Sequence, residues 1–402
     1  MSAFNTTIST IKSLDPSQFS NDVERFQAKE ALRKALVRME TPFERIWALS
    51  FENPPLIAGL RICVDLGVWK NWTAVYKEKG EAELTLEQIV ALCEKKPEAN
   101  LLRRFLRHIS ALYMLEETGP NTWKPTTFSL ALGDEAGHIS AGVVCGDDHT
   151  LPCALNMPKF LAKYDYKDPV DLAKLDNYTD MTGGTSFFAA CAADPEGKGG
   201  SFIGLMTALR NHKMDWTEVY DTKRIMDGAD VSGNTPMFVD IGGAHGLDTE
   251  RLLTKHPDLP KDVLVLQDTP EVVGMEIEGL DPRIKRMPYD FFTPQPVVGA
   301  RAYFFHAVPH DWPDADCVRM FEQVKKVFKK GYSKLLIYEV VLPKVGATNM
   351  QTALDLELMN CTSGLERTED HWTRLLKQVG FKIVEISRHP RAVESVIEAD
   401  LD

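Results

Sequence analysis

Between about residues 20 and 225, apolar positions recur mostly at i, i+3 and i+4, the spacing that gathers them on one face of an α-helix. The segments 23–49, 55–66 and 86–93 carry this pattern, with few Val/Ile alternations, and predict a mainly α-helical half. Within it, residues 84–115 predict two helices. The run EETGPNTWKPT that follows predicts a hairpin with Gly119, Pro120 and Asn121 at its tip, so that 84–130 has a winged-helix outline. Gly183–Gly184 and the cluster Gly197, Gly199 and Gly200 are expected to form mobile loops.

The pattern changes after the breaker-rich stretch ADVSGNTP (229–236). Short continuous apolar runs (MFVDI, DVLVLQ, YFFHAV, KLLIYEVVL, KIVEIS) now alternate with helical spacing over 247–255, 315–329, 350–361 and 369–379. Strands apolar throughout and separated by helices predict a mostly parallel sheet covered on both faces, an α/β fold. A chain of 402 residues exceeds what one core usually organises, so two domains are expected, 1–228 and 229–402.

The formal charge of −12 argues against a nucleic-acid partner, which would require Lys and Arg to neutralise phosphates. No window approaches 18 uninterrupted apolar residues and the start has no basic-then-apolar leader, so a cytoplasmic protein without a membrane span is expected. The seven cysteines form no CxxC pair and sit among apolar neighbours; they are expected as reduced core residues, with no metal site.

Candidate chemistry begins where MFVDI runs into Gly242-Gly243-Ala244-His245-Gly246 and then a helix. Glycines at a strand-to-helix turn let the backbone approach a ligand, and the helix start offers unpaired N–H groups. Asp268 ends the second strand, where a carboxylate can take a ribose diol, and Asp290 ends the following segment with Phe291 and Phe292 beside it to pack on a flat base. Each Asp alone suits a loop cap equally well, but at three successive strand ends they favour an adenosine-bearing cofactor. The spacing GGAHG does not fit the G-x-G-x-x-G of nicotinamide sites.

These residues resemble the plant caffeate-type and fungal O-methyltransferases, which depend on S-adenosyl-L-methionine (SAM) and include methyltransferase-like pericyclases. VDIGGAHG is similar to the first SAM motif of that family, LQDTP to its ribose-binding strand end and YDFF to its adenine-side motif. FFHAVPHDWPDADC, LLIYEVVLP and GLERTEDHWTRLLKQVGF follow in the family's order. The resemblance implies a Rossmann-like C-terminal domain in which Gly242, Gly243, Asp268, Asp290 and Phe291 contact SAM. It also implies His310 as general base, flanked by Glu339 and Glu366, and a homodimer formed through the N-terminal domain, whose helices around 43–66 look broad enough in apolar surface for it. Two positions depart from the family: GGGxG appears as GGAHG, and the residue four before the base, often Lys or Arg, is His306, counted here on the cofactor side.

Methylating a hydroxyl requires loss of its proton as the oxygen attacks the methyl carbon. An ordinary His, titrating near pH 6.5, can take that proton at neutral pH, and carboxylates on its other nitrogen fix the tautomer. Glu339 inside an apolar strand would be costly to bury alone, which requires a partner. The small-molecule acceptor is expected among Phe160, Phe187, Phe188, Phe202, Met206 and Met359, residue types suited to a flat apolar ligand. Two other functions fit parts of the sequence: a pericyclase or dehydratase on the same fold that transfers no methyl, and a non-catalytic winged-helix regulator using Arg103, Arg104 and Arg107.

Overall fold

A computed structural model describes residues 2–80, 83–171, 175–232, 235–277 and 279–402. The chain divides into two compact units, Met1–Val143 and Val144–Asp402.

The first unit begins with α1 (Ala3–Lys12), α2 (Asp22–Met39), α3 (Pro42–Trp47), α4 (Asn53–Asp65) and α5 (Val68–Lys79). The helical spacing over 23–49 is divided between α2 and α3, because Pro42 starts α3 behind a Thr41–Glu44 capping box. Strand β1 (Leu84–Thr85), α6 (Leu86–Leu92), α7 (Ala99–Ala111), the hairpin strands β2 (Leu115–Gly119) and β3 (Thr122–Pro125), and α8 (Thr127–Leu132) follow. The two helices and hairpin lie where the sequence put them, and β1, too short to show a period, adds a third strand in the order β1-β3-β2. Their core is Leu60, Cys63, Trp69, Trp72, Ile89, Leu102, Leu106, Ile109 and Trp123. Helix α9 (Ile139–Cys145) leads out of this unit.

The second unit opens with α10 (Leu151–Lys163), α11 (Asn177–Met181), α12 (Phe187–Ala193), α13 (Lys198–His212), α14 (Trp216–Val219) and α15 (Lys223–Met226). Gly197, Gly199 and Gly200, expected as a loop, instead start α13. A Cβ on Gly199 would stand 2.7 Å from the Cys191 carbonyl oxygen, so close packing accounts for that glycine. The stretch 229–236 then leads into the sheet; its residues 233 and 234 lie outside the described set.

The α/β part runs β4 (Phe238–Ile241), α16 (Leu247–Lys255), β5 (Leu264–Asp268), α17 (Pro270–Gly274), β6 (Ile284–Pro288), β7 (Ala302–His306), α18 (Asp314–Val327), β8 (Lys334–Glu339), β9 (Val341–Leu342), α19 (Asn349–Thr362), β10 (Arg367–Thr368), α20 (Glu369–Val379), β11 (Phe381–Ser387) and β12 (Ser395–Leu401). The main sheet has the order β11-β12-β8-β7-β4-β5-β6, parallel except at β12, which pairs antiparallel with both β11 and β8. The sequence reading missed β12, whose run SVIEADL is interrupted by charges.

Period-2 alternation splits the strand side chains between two cores. Val239, Ile241, Tyr303, Phe305, Leu335 and Ile337 face α18 and α20, whereas Phe238, Leu264, Leu266, Phe304, Leu336 and Tyr338 pack with Trp216, Leu252 and Leu253. Strand order reverses between β4 and β7, the place where open α/β sheets hold ligands.

Residues 144–228, expected with the N-terminal helices, belong by compactness to this second unit. Asn177 Nδ2 donates to Asn360 Oδ1 at 3.0 Å and Ser363 Oγ to the Leu175 carbonyl at 3.1 Å, so α11 is fastened to α19. Hydropathy alone cannot show which partner a helix chooses.

Candidate active site

At the reversal, β4 ends in a turn built for close approach. Gly242 has φ +76°, and a Cβ there would lie 2.6 Å from Val308 Cγ2; one on Gly243 would lie 2.4 Å from Leu266 and 2.5 Å from Asp240. Asp268 Oδ2 accepts from Ala244 N at 2.9 Å and Oδ1 from Thr269 N at 2.7 Å, so this carboxylate clamps the turn while keeping lone pairs to spare. Asp290 Oδ1 accepts from Phe292 N at 2.9 Å, and the Phe291 ring packs against Phe292 and Trp312 at 4.9 and 5.8 Å. The loop-capping and ligand-facing roles weighed for these aspartates are therefore compatible. Below the turn, Asp240 Oδ1 is buried without a partner; burial, and then Asp248, raise this carboxyl to about 7. Ala244, Ala307 and Ser363 all adopt left-handed backbone (φ 47°, 51° and 57°), a concentration no sequence period signals.

Past β7, Pro309–Asp311 forms a short 3₁₀ turn carrying His310. Its Nδ1 lies 3.2 Å from Glu339 Oε2 and 3.3 Å from Glu366 Oε1, and its backbone N–H donates to Glu339 Oε1 at 3.2 Å. Both carboxylates are buried, while the imidazole keeps 17% side-chain exposure. The backbone closes over it: Leu365 N donates to the His310 carbonyl at 2.9 Å, and a Cβ on Gly364 would be 2.5 Å from that oxygen. Arg367, fully buried, donates to the Pro309 and Trp312 carbonyls and to Asp314, pinning the turn from behind. Sequence reasoning missed this arginine, although its place beside Glu366 in GLERTEDHW marked it.

Burial by itself would lower the His310 pKa, but Glu339, Glu366 and Asp311 outweigh it and raise the group to about 10. The two glutamates that fix the ring thus also hold its proton. Burial in turn lifts Glu339 to about 7 and Glu366 above the usual carboxylate range. Together these three side chains place ligand atoms within 4.8 Å of one another, close enough to share a metal ion as well as a proton.

His306 lies on the opposite face of the sheet, on the side of Tyr338. Its Nδ1 meets Asp248 in a short contact; Nε2 stands 3.1 Å from Lys213 Nζ and 3.3 Å from Glu394 Oε1, and Lys213 pairs with Glu394. Burial opposes the cation, but Asp248 and Glu394 overcome it and raise His306 to about 9. Both ring nitrogens of this expected cofactor-side residue are taken up by the protein. Lys213 was missed because it lies at the end of a distant helix.

Of the expected acceptor residues, Phe187, Phe188 and Phe202 come together, with Phe187 5.2 Å from Phe188 and 5.0 Å from Phe202. Met206, one turn beyond Phe202 on α13, is 40% exposed, and Met359 is half-buried on α19. Phe160 is buried apart from them, against Tyr164. Among the described residues no helix is long and apolar enough to cross a membrane, and all seven cysteines are free thiols.

Comparison with known proteins decides the family. An O-methyltransferase domain family matches residues 164–382, over half of the chain. The chain is 37% identical over 400 residues to the O-methyltransferase mfmE of Annulohypoxylon moriforme, covering 98% of this chain and 95% of that protein. It is 35% identical over 404 residues to the O-methyltransferase ATR12 of Stachybotrys chlorohalonatus, covering all of both.

The chain belongs to the O-methyltransferase family. A solved chain described as a pericyclic reaction enzyme shares its fold, with a TM-score of 0.83 at 24% identity over 99% of this chain and 100% of that one. With the family comes its cofactor, SAM, and the turn at 242–246 fits it. At Gly242 and Gly243 a side chain would collide with Val308, Leu266 and Asp240, so the turn stays bare backbone, the surface that a cofactor seated at the end of β4 requires, and Asp240 beneath it keeps a buried oxygen without a partner.

Proposed function

We propose that this methyltransferase acts on a hydroxyl of a small aromatic or polyketide-like secondary metabolite, with His310 as its general base. One observation carries the reading: an imidazole held on one nitrogen by two buried carboxylates, two residues beyond the valine that packs on Gly242. In this reading Asp268 would hold the SAM ribose, Asp290 and Phe291 would take the adenine, and the bare backbone at Gly242 and Gly243 would leave room for the rest of the molecule. SAM supplies an electrophilic methyl group on a sulfonium. The chain's own part is proton management. Glu339 and Glu366 keep Nδ1–H in place, so Nε2 is the atom that takes the hydroxyl proton, and the imidazolium formed is stabilised where it stands. A pKa near 10 matches a phenol, so the transfer costs little once the ring is in its base form. Incubation with methyl-labelled SAM and a panel of phenols tests this: label in an acceptor supports it, and SAM binding without transfer to any acceptor overturns it.

The raised pKa also favours a second reading. At neutral pH His310 is an imidazolium, a hydrogen-bond donor that could polarise a carbonyl in a pericyclic or dehydrating step. Product of unchanged or water-depleted mass, formed without consumption of SAM, decides for it.

For assembly we propose a homodimer through the first unit, in the cytoplasm and without nucleic acid. Phe43, Ile46, Trp47, Leu49 and Phe51 are each at least 45% exposed, a patch that a monomer would leave in water. Light scattering of the protein and of Phe51→Glu tests it, with dimer and monomer expected respectively; a monomeric parent protein overturns the proposal.

A further inference from the structure

His149 is a buried imidazole that methyl transfer does not use. It sits in a π-helical turn, Gly146–Thr150, between α9 and α10, an irregularity frequent at functional positions. Only 1% of the residue is exposed. Its Nε2 lies 3.0 Å from the Lys198 carbonyl oxygen; a carbonyl only accepts, so Nε2 carries the hydrogen and the imidazole leaves Nδ1 as an acceptor. That Nδ1 is buried with no partner in the protein. Leaving a buried polar atom unmatched is costly, so a group from outside the chain is the expected partner.

The surroundings indicate what kind of group. The His149 ring meets Phe187 edge-on at 4.9 Å and Tyr178 at 5.9 Å, and Phe187 in turn meets Phe202 and Phe188 edge-to-face, the last 55% exposed. An aromatic wall with one polar acceptor at its buried end suits a flat ring that carries a donor. This wall is mechanically joined to His310: Asn177, next to Tyr178, is bonded to Asn360 on α19, and Thr362 at the end of that helix donates to Asp311 at 3.2 Å.

We propose that His149 is a specificity-determining residue whose Nδ1 accepts a hydrogen bond from a second hydroxyl on the methyl acceptor. The acceptor is then a polyhydroxylated flat aromatic, with one hydroxyl presented to His310 and another to His149. This inference rests on the acceptor class proposed above.

Dihydroxynaphthalene isomers and 2-naphthol serve as probes, titrated against the protein loaded with S-adenosylhomocysteine so that no turnover intervenes. The parent protein binds at least one diol about tenfold or more tightly than 2-naphthol, since a site built for a hydroxyl rejects the analogue lacking it. His149→Phe removes the acceptor, and His149→Gln keeps the donor toward Lys198 but offers no acceptor at the Nδ1 position. Both bring the preference to within about twofold while leaving S-adenosylhomocysteine affinity unchanged. His149→Asn, with its oxygen near the Nδ1 position, restores part of the preference. Equal binding of diols and naphthol by the parent protein overturns the inference, and so does full preference in His149→Gln, which would assign the ring to holding Lys198. Because binding is read without turnover, a preference that survives when no methyl is transferred separates this inference from the methyl-transfer reading.

Discussion

Two histidines four residues apart stand at the end of the same strand, each between two carboxylates, and the protein treats them differently. His306 faces one side of the sheet and is closed in by Asp248, Glu394 and Lys213. His310 faces the other, with Nδ1 between Glu339 and Glu366 and Nε2 3.9 Å from Asp311 Oδ2, beyond hydrogen-bond distance. Both imidazoles are raised by their acids, to about 9 and about 10. A buried charge cluster that includes its own cation has completed its bonding; one that leaves an imidazole nitrogen open has kept it for another molecule. The pKa alone does not tell the two apart, and the partner set does.

The largest test of this contrast is turnover. His310→Gln is expected to lower kcat by on the order of 10²–10⁴ while SAM affinity, measured by titration calorimetry, stays within a few fold. His306→Gln should cost far less in kcat. Comparable losses in both variants would erase the distinction.

Next in size is the pH profile. The base form of His310 is a minor species at neutral pH, so kcat/KM should rise about tenfold per pH unit above 7 and level off near 10. Ionisation of a phenolic acceptor would give a rise of its own. Glu366→Gln separates the two: Glu366 supports the His310 proton, so its loss moves the plateau to lower pH, whereas an acceptor's ionisation would not move. A plateau already reached near pH 7 would contradict the assignment.

Much of this was legible in the sequence, and the reasons are local. The helices over 247–255 and 369–379 matched α16 and α20 because strong periodicity coincided with clear ends, and VDIGGAHG located its turn because strand, glycines and helix are contiguous. His310, Glu339 and Glu366 could be grouped through the family's motif order, but their shared proton could not be seen, since it depends on burial and distances near 3.2 Å. Lys213 and His149 were invisible for a related reason: each acquires its role from a residue far along the chain, Glu394 and Lys198. That 144–228 falls in the same compact unit as the sheet could not be read from the sequence, because a helical period reports an apolar face and not what covers it.

Stability gives the converse of the turnover test. Removing one member of a buried ion cluster typically costs about 3–5 kcal/mol, and domains of this size lose roughly 2–4 °C per kcal/mol, so His306→Gln should lower Tm by several degrees. His310→Gln, with water able to reach its site, should lower it less. Calorimetry at pH 7 checks the order, and a reversed order would show that His306 is dispensable to the fold.

The smallest expected effect concerns the sign of one charge. His306 holds its proton more tightly folded than unfolded, so the stability it contributes is fully present below about pH 6.5 and is lost as pH rises through about 9. Lys213 works against that proton, yet it also neutralises Glu394. In Lys213→Met the two roles separate. Tm at pH 7 falls modestly because Glu394 keeps only His306 as its cation, while the alkaline loss of stability shifts to higher pH because the repelling ammonium is gone. Two Tm-versus-pH curves, from pH 6 to 10.5, read both effects. If the alkaline limb moved to lower pH instead, Lys213 would be supporting the His306 proton, and His306 would be a neutral acceptor for the lysine rather than the cation that closes the cluster.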